Sequence, residues 1–316
     1  MVLCTRQMPR QPFNRAKATA WYIRHMTKKF DQPKKSGFAV LIGRSNVGKS
    51  TLLNALIGSK IAITTPKAQT TRKPVHGILS APAGQIVFVD TPGIFKESRD
   101  ALSKVLLRFV RNSLRDIDAV VYVVDPTRAI GSEEKYALSL LDNLKQPKIL
   151  VINKMDLRNL PFLESMRALS PRFDKTIELS ALNNTNLNLL KQTIFDFLPE
   201  GEPYYPIGQL SNMPNEEWIG ELIREKLFLR LRQEVPYSVQ VTVDEVTRRE
   251  NGMVYIAARI LTSDDRYQRM IIGSKGHGVK EIGQSARREL QAVMNAPVFL
   301  DLNVEIDSHW VERLAG

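Results

Sequence analysis

Cysteine is nearly absent from this chain: Cys4 is the only one in 316 residues. That excludes a disulfide framework within the chain and a cysteine-ligated metal site, and a reducing compartment fits best. No apolar run reaches the ~20 residues of a membrane-spanning helix. Stretches such as Ala119 to Val124 have the length of buried strands. Internal repeats and low-complexity segments are also missing. The first thirty positions lack acidic residues yet carry Arg6, Arg10, Arg15, Lys17, Arg24, Lys28 and Lys29. That composition is like a mitochondrial transit peptide. The preferred reading is plainer: a flexible basic arm, or an over-extended start ahead of Met26.

What remains is an ordinary globular balance, 43% hydrophobic and 25% charged, in a chain long enough for two cores. The net charge of +12 suggests a polyanionic partner, but it is unevenly spread. Positions 1–35 hold nine Lys/Arg against one acidic residue, whereas positions 200–316 hold 14 against 18. Nucleic-acid binding in the C-terminal part must therefore come from a local site.

From Gly37 to Leu198 short apolar runs alternate with amphipathic segments. Phe38–Ile42, Gln85–Asp90, Ala119–Asp125, Lys148–Asn153 and Thr176–Leu179 are expected strands; Lys49–Ile57, Ala101–Leu114, Glu133–Leu144 and Asn186–Phe197 are expected helices. Such alternation implies an α/β domain with a mostly parallel sheet and helices on both faces, and Lys73–Ser80 could add an antiparallel edge. The proline-rich stretch from Pro199 to Pro214 reads as a linker. Beyond it the expected order is helix (Glu216–Arg232), strand (Ser238–Val246), strand (Met253–Leu261), helix, helix (to Met294), strand (Val298–Ile306), with Asn251-Gly252 as a hairpin signal. The division is 1–36 basic extension, 37–199 first domain, 200–215 linker and 216–316 second domain.

Five signatures occur in order in the first domain. Gly43-Arg44-Ser45-Asn46-Val47-Gly48-Lys49-Ser50, followed by Thr51, fits the phosphate-loop pattern between a strand and a helix. Its amides and helix N-terminus suit phosphate oxygens, with Lys49 bridging the β- and γ-phosphates and the Ser50 hydroxyl on Mg²⁺. Thr70 and Thr71 lie in a polar loop, and spacing alone does not say which closes on the metal. Asp90-Thr91-Pro92-Gly93 follows a strand; Asp90 would hold Mg²⁺ and the Gly93 amide would face the γ-phosphate. Asn153-Lys154-Met155-Asp156 puts an acceptor where guanine presents two donors, which adenine lacks. Asn153 would buttress that loop, the Lys154 stem would pack on the base, and Ser180-Ala181-Leu182 would offer the Ala181 amide to guanine O6. Together they describe a guanine-nucleotide site whose catalytic groups are Lys49, Gly93 and one of the two threonines.

These residues resemble the translation-factor-related GTPases and, within them, the Era family, over essentially all of 37–316. Gly220-Glu221-Leu222-Ile223-Arg224-Glu225-Lys226 and Glu234-Val235-Pro236-Tyr237-Ser238 narrow the resemblance to Era. It implies that Thr71 is the metal-closing threonine. Ser45 departs from the family, which often has proline there. Ile94 occupies the position of the water-orienting glutamine of Ras-like proteins, so slow intrinsic turnover is expected. Asn46 either coordinates a catalytic K⁺, as in related GTPases, or only stabilises the loop.

In the second domain Gly273-Ser274-Lys275-Gly276 joins two helices beside a three-stranded sheet, the arrangement of a KH domain of the prokaryotic type. Such a turn admits a single-stranded RNA backbone, with Lys275 and Lys280 as contacts. Arg266, Arg269, Arg287 and Arg288 add charge, and Ile271, Ile272, Val279 and Ile282 are the expected apolar floor. The resemblance implies the 3′ end of small-subunit ribosomal RNA as target and assembly of that subunit as the role. A cytoplasmic monomer is expected, with mitochondria as the alternative; weak peripheral membrane association rests on basic surface alone. A double-G-domain factor is excluded by the lack of a second phosphate loop, and the tRNA-modifying relative by the lack of a C-terminal cysteine. An RNA-binding scaffold without useful turnover remains as a rival.

Overall fold

The computed structural model describes residues 34–65, 71–94, 101–231 and 238–315. The basic residues of the first thirty positions, Thr70 and the run Glu234-Val235-Pro236-Tyr237 lie outside them.

Six strands build the first sheet: β1 (Lys35–Ile42), β2 (Val75–Ala81), β3 (Gly84–Asp90), β4 (Ala119–Val124), β5 (Lys148–Ile152) and β6 (Lys175–Glu178). Their order is β2-β3-β1-β4-β5-β6, all neighbours parallel except the antiparallel pair β2–β3. The expected antiparallel edge is therefore present. Strand β1 begins at Lys35, ahead of the apolar run, because Lys35 and Ser36 pair with Gly84 and Gln85 and the Ser36 amide donates to the Pro199 carbonyl. Helices α1 (Lys49–Ile57), α2 (Ala101–Asn112), α3 (Ser132–Asp142), α4 (Leu163–Arg167) and α5 (Leu187–Phe197) connect the strands. The sheet is buried on both sides: one core gathers Ala39, Leu41, Phe88, Val121 and Val151 under α1 and α5, the other Val40, Ile42, Tyr122, Leu150 and Ile152 under α2 and α3. Alternate residues of the central strands β1, β4 and β5 feed opposite cores, which is why Phe38–Ile42, Ala119–Val124 and Ile149–Ile152 are apolar throughout. Helix α4 escapes sequence reading because five residues carry too little period.

The stretch 199–214 is irregular but packed. Tyr205 accepts from the Gln85 amide group through its carbonyl, donates its N–H to Gln85 Oε1, and shares a hydrogen bond with His76 through its hydroxyl; the Ile78 amide donates to the Leu210 carbonyl. Then follow α6 (Asn215–Arg230), β7 (Val239–Arg248), β8 (Val254–Thr262), α7 (Asp265–Ile272), α8 (His277–Met294), β9 (Val298–Ile306) and α9 (Trp310–Ala315). The order from α6 to β9 is the expected one. β7 pairs antiparallel and β9 parallel with the central β8. Helices α6, α7 and α8 cover one face, burying Ile219, Ile223, Phe228, Ile256, Ile260, Ile271, Ile282 and Leu290.

The two domains meet in a built seam. Trp310 of α9 packs with Leu102 and Leu106 of α2 and with Leu261. Lys60, just past α1, forms ion pairs with Glu225 of α6 and Glu289 of α8, both at 2.6 Å.

Candidate active site and nucleic-acid interface

The phosphate loop lies where β1 ends and α1 begins, at the carboxyl edge of the sheet. Lys49 is 5% exposed, and its Nζ donates to the Gly43 and Arg44 carbonyls at 3.0 and 3.1 Å. Burial lowers its ammonium from 10.5 to about 8, the carboxylate of Asp90 working the other way. Asp90, fully buried at the end of β3, is pushed up by the same desolvation. A cation beside Asp90 and phosphates beside Lys49 supply the charge that each group lacks.

Three oxygens converge there. The Ser50 hydroxyl donates to Asp90 Oδ2 at 2.8 Å, the Thr71 hydroxyl donates to it at 3.1 Å, and the two hydroxyls lie 3.1 Å apart. Asp90 Oδ1 is buried with no hydrogen-bond partner. An orphaned carboxylate oxygen beside two hydroxyls fits Mg²⁺, which takes one or two carboxylates plus substrate phosphates and water. Thr71 belongs to this cluster, while Thr70 lies outside the described residues.

The other motif residues divide between backbone and side-chain work. Arg44 turns to α3, with ion pairs to Glu133 at 2.9 Å and Glu134 at 2.6 Å, so only its backbone faces the loop interior. Val47 is 1% exposed and belongs to the core. The Thr91 hydroxyl donates to the Leu41 carbonyl at 2.8 Å and is spent on the sheet. Ser45, Asn46, Gly48, Thr51 and Gly93 line the phosphate cleft with Ile63, Thr64 and Thr65, which the sequence reading did not name. At Gly93 a Cβ would lie 2.5 Å from Ser45 Oγ and 2.7 Å from its Cα, so the approach of the phosphate loop by itself requires glycine there. Pro92 is buried just before it. Ile94 is 0% exposed, its amide donating to the Gly43 carbonyl and its carbonyl accepting from the Ser45 amide. Its side chain joins the core between β1 and α2, away from the cleft.

At the base end Asn153 ties three motifs together: Nδ2 donates to the Val47 carbonyl at 2.9 Å and Oδ1 accepts from the Ala181 amide at 3.0 Å. Lys154 Nζ donates to Asp125 Oδ2 at 2.5 Å. Burial would raise the Asp125 carboxyl, but hydrogen bonds from Lys154 and Thr127 hold it below the usual range. The Ser180 hydroxyl donates to Asp156 Oδ1 at 2.6 Å, so Ser180 orients the Asp156 carboxylate. Leu182 is 72% exposed at the rim. The roles of Asp125 and Ser180 depend on pairing across 24 to 29 residues, which no local pattern announces.

In the second domain the turn between α7 and α8 has Gly273 at φ 70°, Lys275 at φ 50° and Gly276 at φ 76°. This left-handed path leaves Ser274 and Lys275 exposed. Gly278 brings the helices together, since a Cβ there would meet the Ile271 carbonyl at 2.3 Å. The expected apolar floor needs correction. Ile271 and Ile282 are 0% and 1% exposed, turned into the core by the helix period. The groove beside the turn is lined instead by Val279, Gly283, Leu300 and Leu302, with Lys280, Gln284 and Arg287 around it. Leu300 and Leu302 come from β9, distant in sequence. Arg269 is engaged with Asp265 at 2.8 Å, and Arg266 and Arg288 are exposed outside the groove.

Fold and site define a P-loop GTPase domain followed by a KH domain. Family models agree: one described as a 50S ribosome-binding GTPase matches residues 38–154, and one described as a KH domain matches 234–311. The GTPase Era of Halothermothrix orenii is 42% identical over 281 residues, 88% of this chain and 95% of its own length. That of Carboxydothermus hydrogenoformans is also 42% identical, over 280 residues, 87% and 94% of the two chains. Among solved structures, Era in complex with MgGDPNP and nucleotides 1506–1542 of 16S ribosomal RNA has a TM-score of 0.82 and 35% identity, covering 89% of this chain and 96% of that one. An Aquifex aeolicus Era variant bound to GDP and AlF4⁻ has a TM-score of 0.83 and 35% identity, covering 88% and 96%. The chain belongs to the Era family and is a GTPase.

Proposed function

We propose that this chain is a GTP-hydrolysing switch that holds single-stranded RNA, with the 3′ end of small-subunit ribosomal RNA as target and assembly of that subunit as its setting. The observation that carries the RNA half is the groove of Val279, Gly283, Leu300 and Leu302 opening beside the Gly273–Gly276 turn, with Lys280 and Arg287 at its edge. Apolar surface suits unstacked bases, and exposed lysines suit phosphates. The solved Era complex with the 1506–1542 fragment supports the choice of RNA.

At the nucleotide, Asp156 reads the guanine edge under the control of Ser180, Asn153 holds the loops, and the Ala181 amide faces O6. Ser50, Thr71 and Asp90 would hold Mg²⁺, which would supply positive charge against the phosphates. Lys49 and the loop amides do the same from the protein side, and the Gly93 amide donates to the γ-phosphate. The buried Ile94 neither orients water nor carries a proton, so unaided turnover is slow. Asn46, exposed on the phosphate loop at φ 66°, is the candidate K⁺ ligand. Functionally the chain divides into 37–199, a linker at 200–215 and 216–316, working as a cytoplasmic monomer with at most weak membrane contact; among the described residues no helix is long and apolar enough to cross a membrane. Crosslinking to RNA with sequencing of the bound sites tests the assignment. Sites concentrated at the 3′ end of small-subunit ribosomal RNA are expected, and a scattered pattern would refute the target.

A further inference from the structure

Arg72 follows Thr71 directly, yet it belongs sterically to the other domain. It is 2% exposed. Its Nη1 donates to the Val239 carbonyl at 2.5 Å and to Gln240 Oε1 at 2.9 Å, both on β7, and its guanidinium lies 4.7 Å over the Trp310 ring of α9. Thr71, one residue away, has its hydroxyl on Asp90 and Ser50. Consecutive Cα atoms are ~3.8 Å apart, so neither residue moves far without the other. The neighbouring segment is held in the same way: besides the Lys60 ion pairs, the Thr64 amide donates to Glu225 Oε1 at 3.0 Å, and the Lys60 carbonyl accepts from Trp218 Nε1 at 3.1 Å.

The KH side of this seam leads to the RNA groove. Helix α6 lies against β7, a Cβ on Gly220 being 3.4 Å from the Val241 carbonyl. Helix α8, which starts at the Gly-x-x-Gly turn and lines the groove with Lys280 and Arg287, carries Glu289 to Lys60 and to Lys226 on its other side. Packed elements of this kind shift as units.

We propose that Arg72 is a positioning residue that ties the metal-closing Thr71 to the KH domain, so that nucleotide state and RNA occupancy are linked through this side chain. The proposal rests on the GTP-and-RNA reading above. A cation and γ-phosphate draw on Thr71, the forked guanidinium passes the displacement to β7, and RNA in the groove resists or favours it. Linkage is reciprocal: whatever factor RNA adds to the affinity for a GTP analogue, the analogue adds to the affinity for RNA.

The test measures RNA affinity, using the 16S fragment 1506–1542 as probe, with the protein loaded with GDPNP and with GDP. Wild type should show a ratio differing from one by at least ~5-fold, the lower end of common couplings. Arg72→Ala should bring that ratio close to one while changing GDP affinity and RNA affinity in the GDP state by less than about twofold. Arg72→Lys keeps the charge without the fork and should recover part of the ratio. Gln240→Ala removes one partner without touching the GTPase domain and should lower the ratio if Arg72→Ala proves unstable. A wild-type ratio of one would overturn the switch reading, and the tie with it. A large wild-type ratio that survives both Arg72→Ala and Gln240→Ala would overturn the tie alone. Equal losses in the GDP and GDPNP states would mark Arg72 as structural only and equally overturn it.

Discussion

Lys49 and Asp90 sit in one desolvated cleft, and burial drives both toward neutrality. For Lys49 the folded value of about 8 lies below the unfolded 10.5. Between these values the unfolded chain holds a proton that the folded chain has released. The destabilisation from burying the ammonium is therefore full below about pH 8 and fades as pH rises through that window. Phosphates reverse the preference, so nucleotide binding near pH 8 should take up a proton, and GDP affinity should weaken by up to ~10-fold per unit above it. Calorimetry in buffers of differing ionisation enthalpy checks this, and Lys49→Met should abolish the uptake; affinity constant from pH 7 to 9.5 would contradict it. At Asn46 the expected result is faster hydrolysis in KCl than in NaCl, a difference that Asn46→Ala removes; equal rates in wild type would sink the potassium assignment. At the base, Asp156→Asn should cost GTP on the order of 100-fold, because guanine's two donors then face an amide. Xanthosine triphosphate should recover much of that loss, and competition binding reads both.

The elements show how far local pattern reaches. Strands β3, β4 and β5 are legible because burial on both faces gives each an apolar run, Ile86–Val89, Ala119–Val124 and Ile149–Ile152, and α1 because a phosphate loop opens it. The turn between α7 and α8 is equally legible from Gly273 and Gly276, but its floor is not. Ile271 and Ile282 look available in sequence, yet the helix period turns them into the core, and β9 supplies Leu300 and Leu302 instead. Short α4 and α9 go unnoticed, since five or six residues carry no reliable period. The exposed Lys275 is the element-scale test. Lys275→Asp should weaken RNA binding by roughly tenfold and reduce the salt slope by about one, through loss of a phosphate contact. An unchanged affinity and slope in a salt titration would place the RNA elsewhere.

At the scale of the molecule, the two domains share a seam of unlike parts: an apolar patch at Trp310 with Leu102, Leu106 and Leu261, and a charged patch around Lys60. Burial alone would raise the Glu225 carboxyl, but hydrogen bonds from Lys60, Lys226 and the Thr64 amide hold it below the usual range, so the charged patch stays ionised. Trp310→Ala should cost about 3–5 kcal/mol, the range for deleting a buried large aromatic. Because the loss falls between domains, calorimetry should show the single transition expected of the wild type splitting into two; one undivided transition would argue that the seam is secondary.

The order of the five nucleotide motifs and the helix–strand sequence of the second domain were determined by the amino-acid sequence, because each depends on neighbours within a few residues. The run Gly220 to Lys226 was visible too, though only as a family mark. Its purpose emerged from tertiary structure: Gly220 admits β7, Arg224 is buried beside Phe228, and Glu225 and Lys226 join the charged seam. That the Thr71 hydroxyl meets Asp90, that Leu300 and Leu302 line the groove beside the Gly273–Gly276 turn, and where Arg72 goes were likewise decided only by folding. Each depends on contacts between segments roughly 20 to 240 residues apart, and the packing that creates such contacts leaves no periodic trace in the chain.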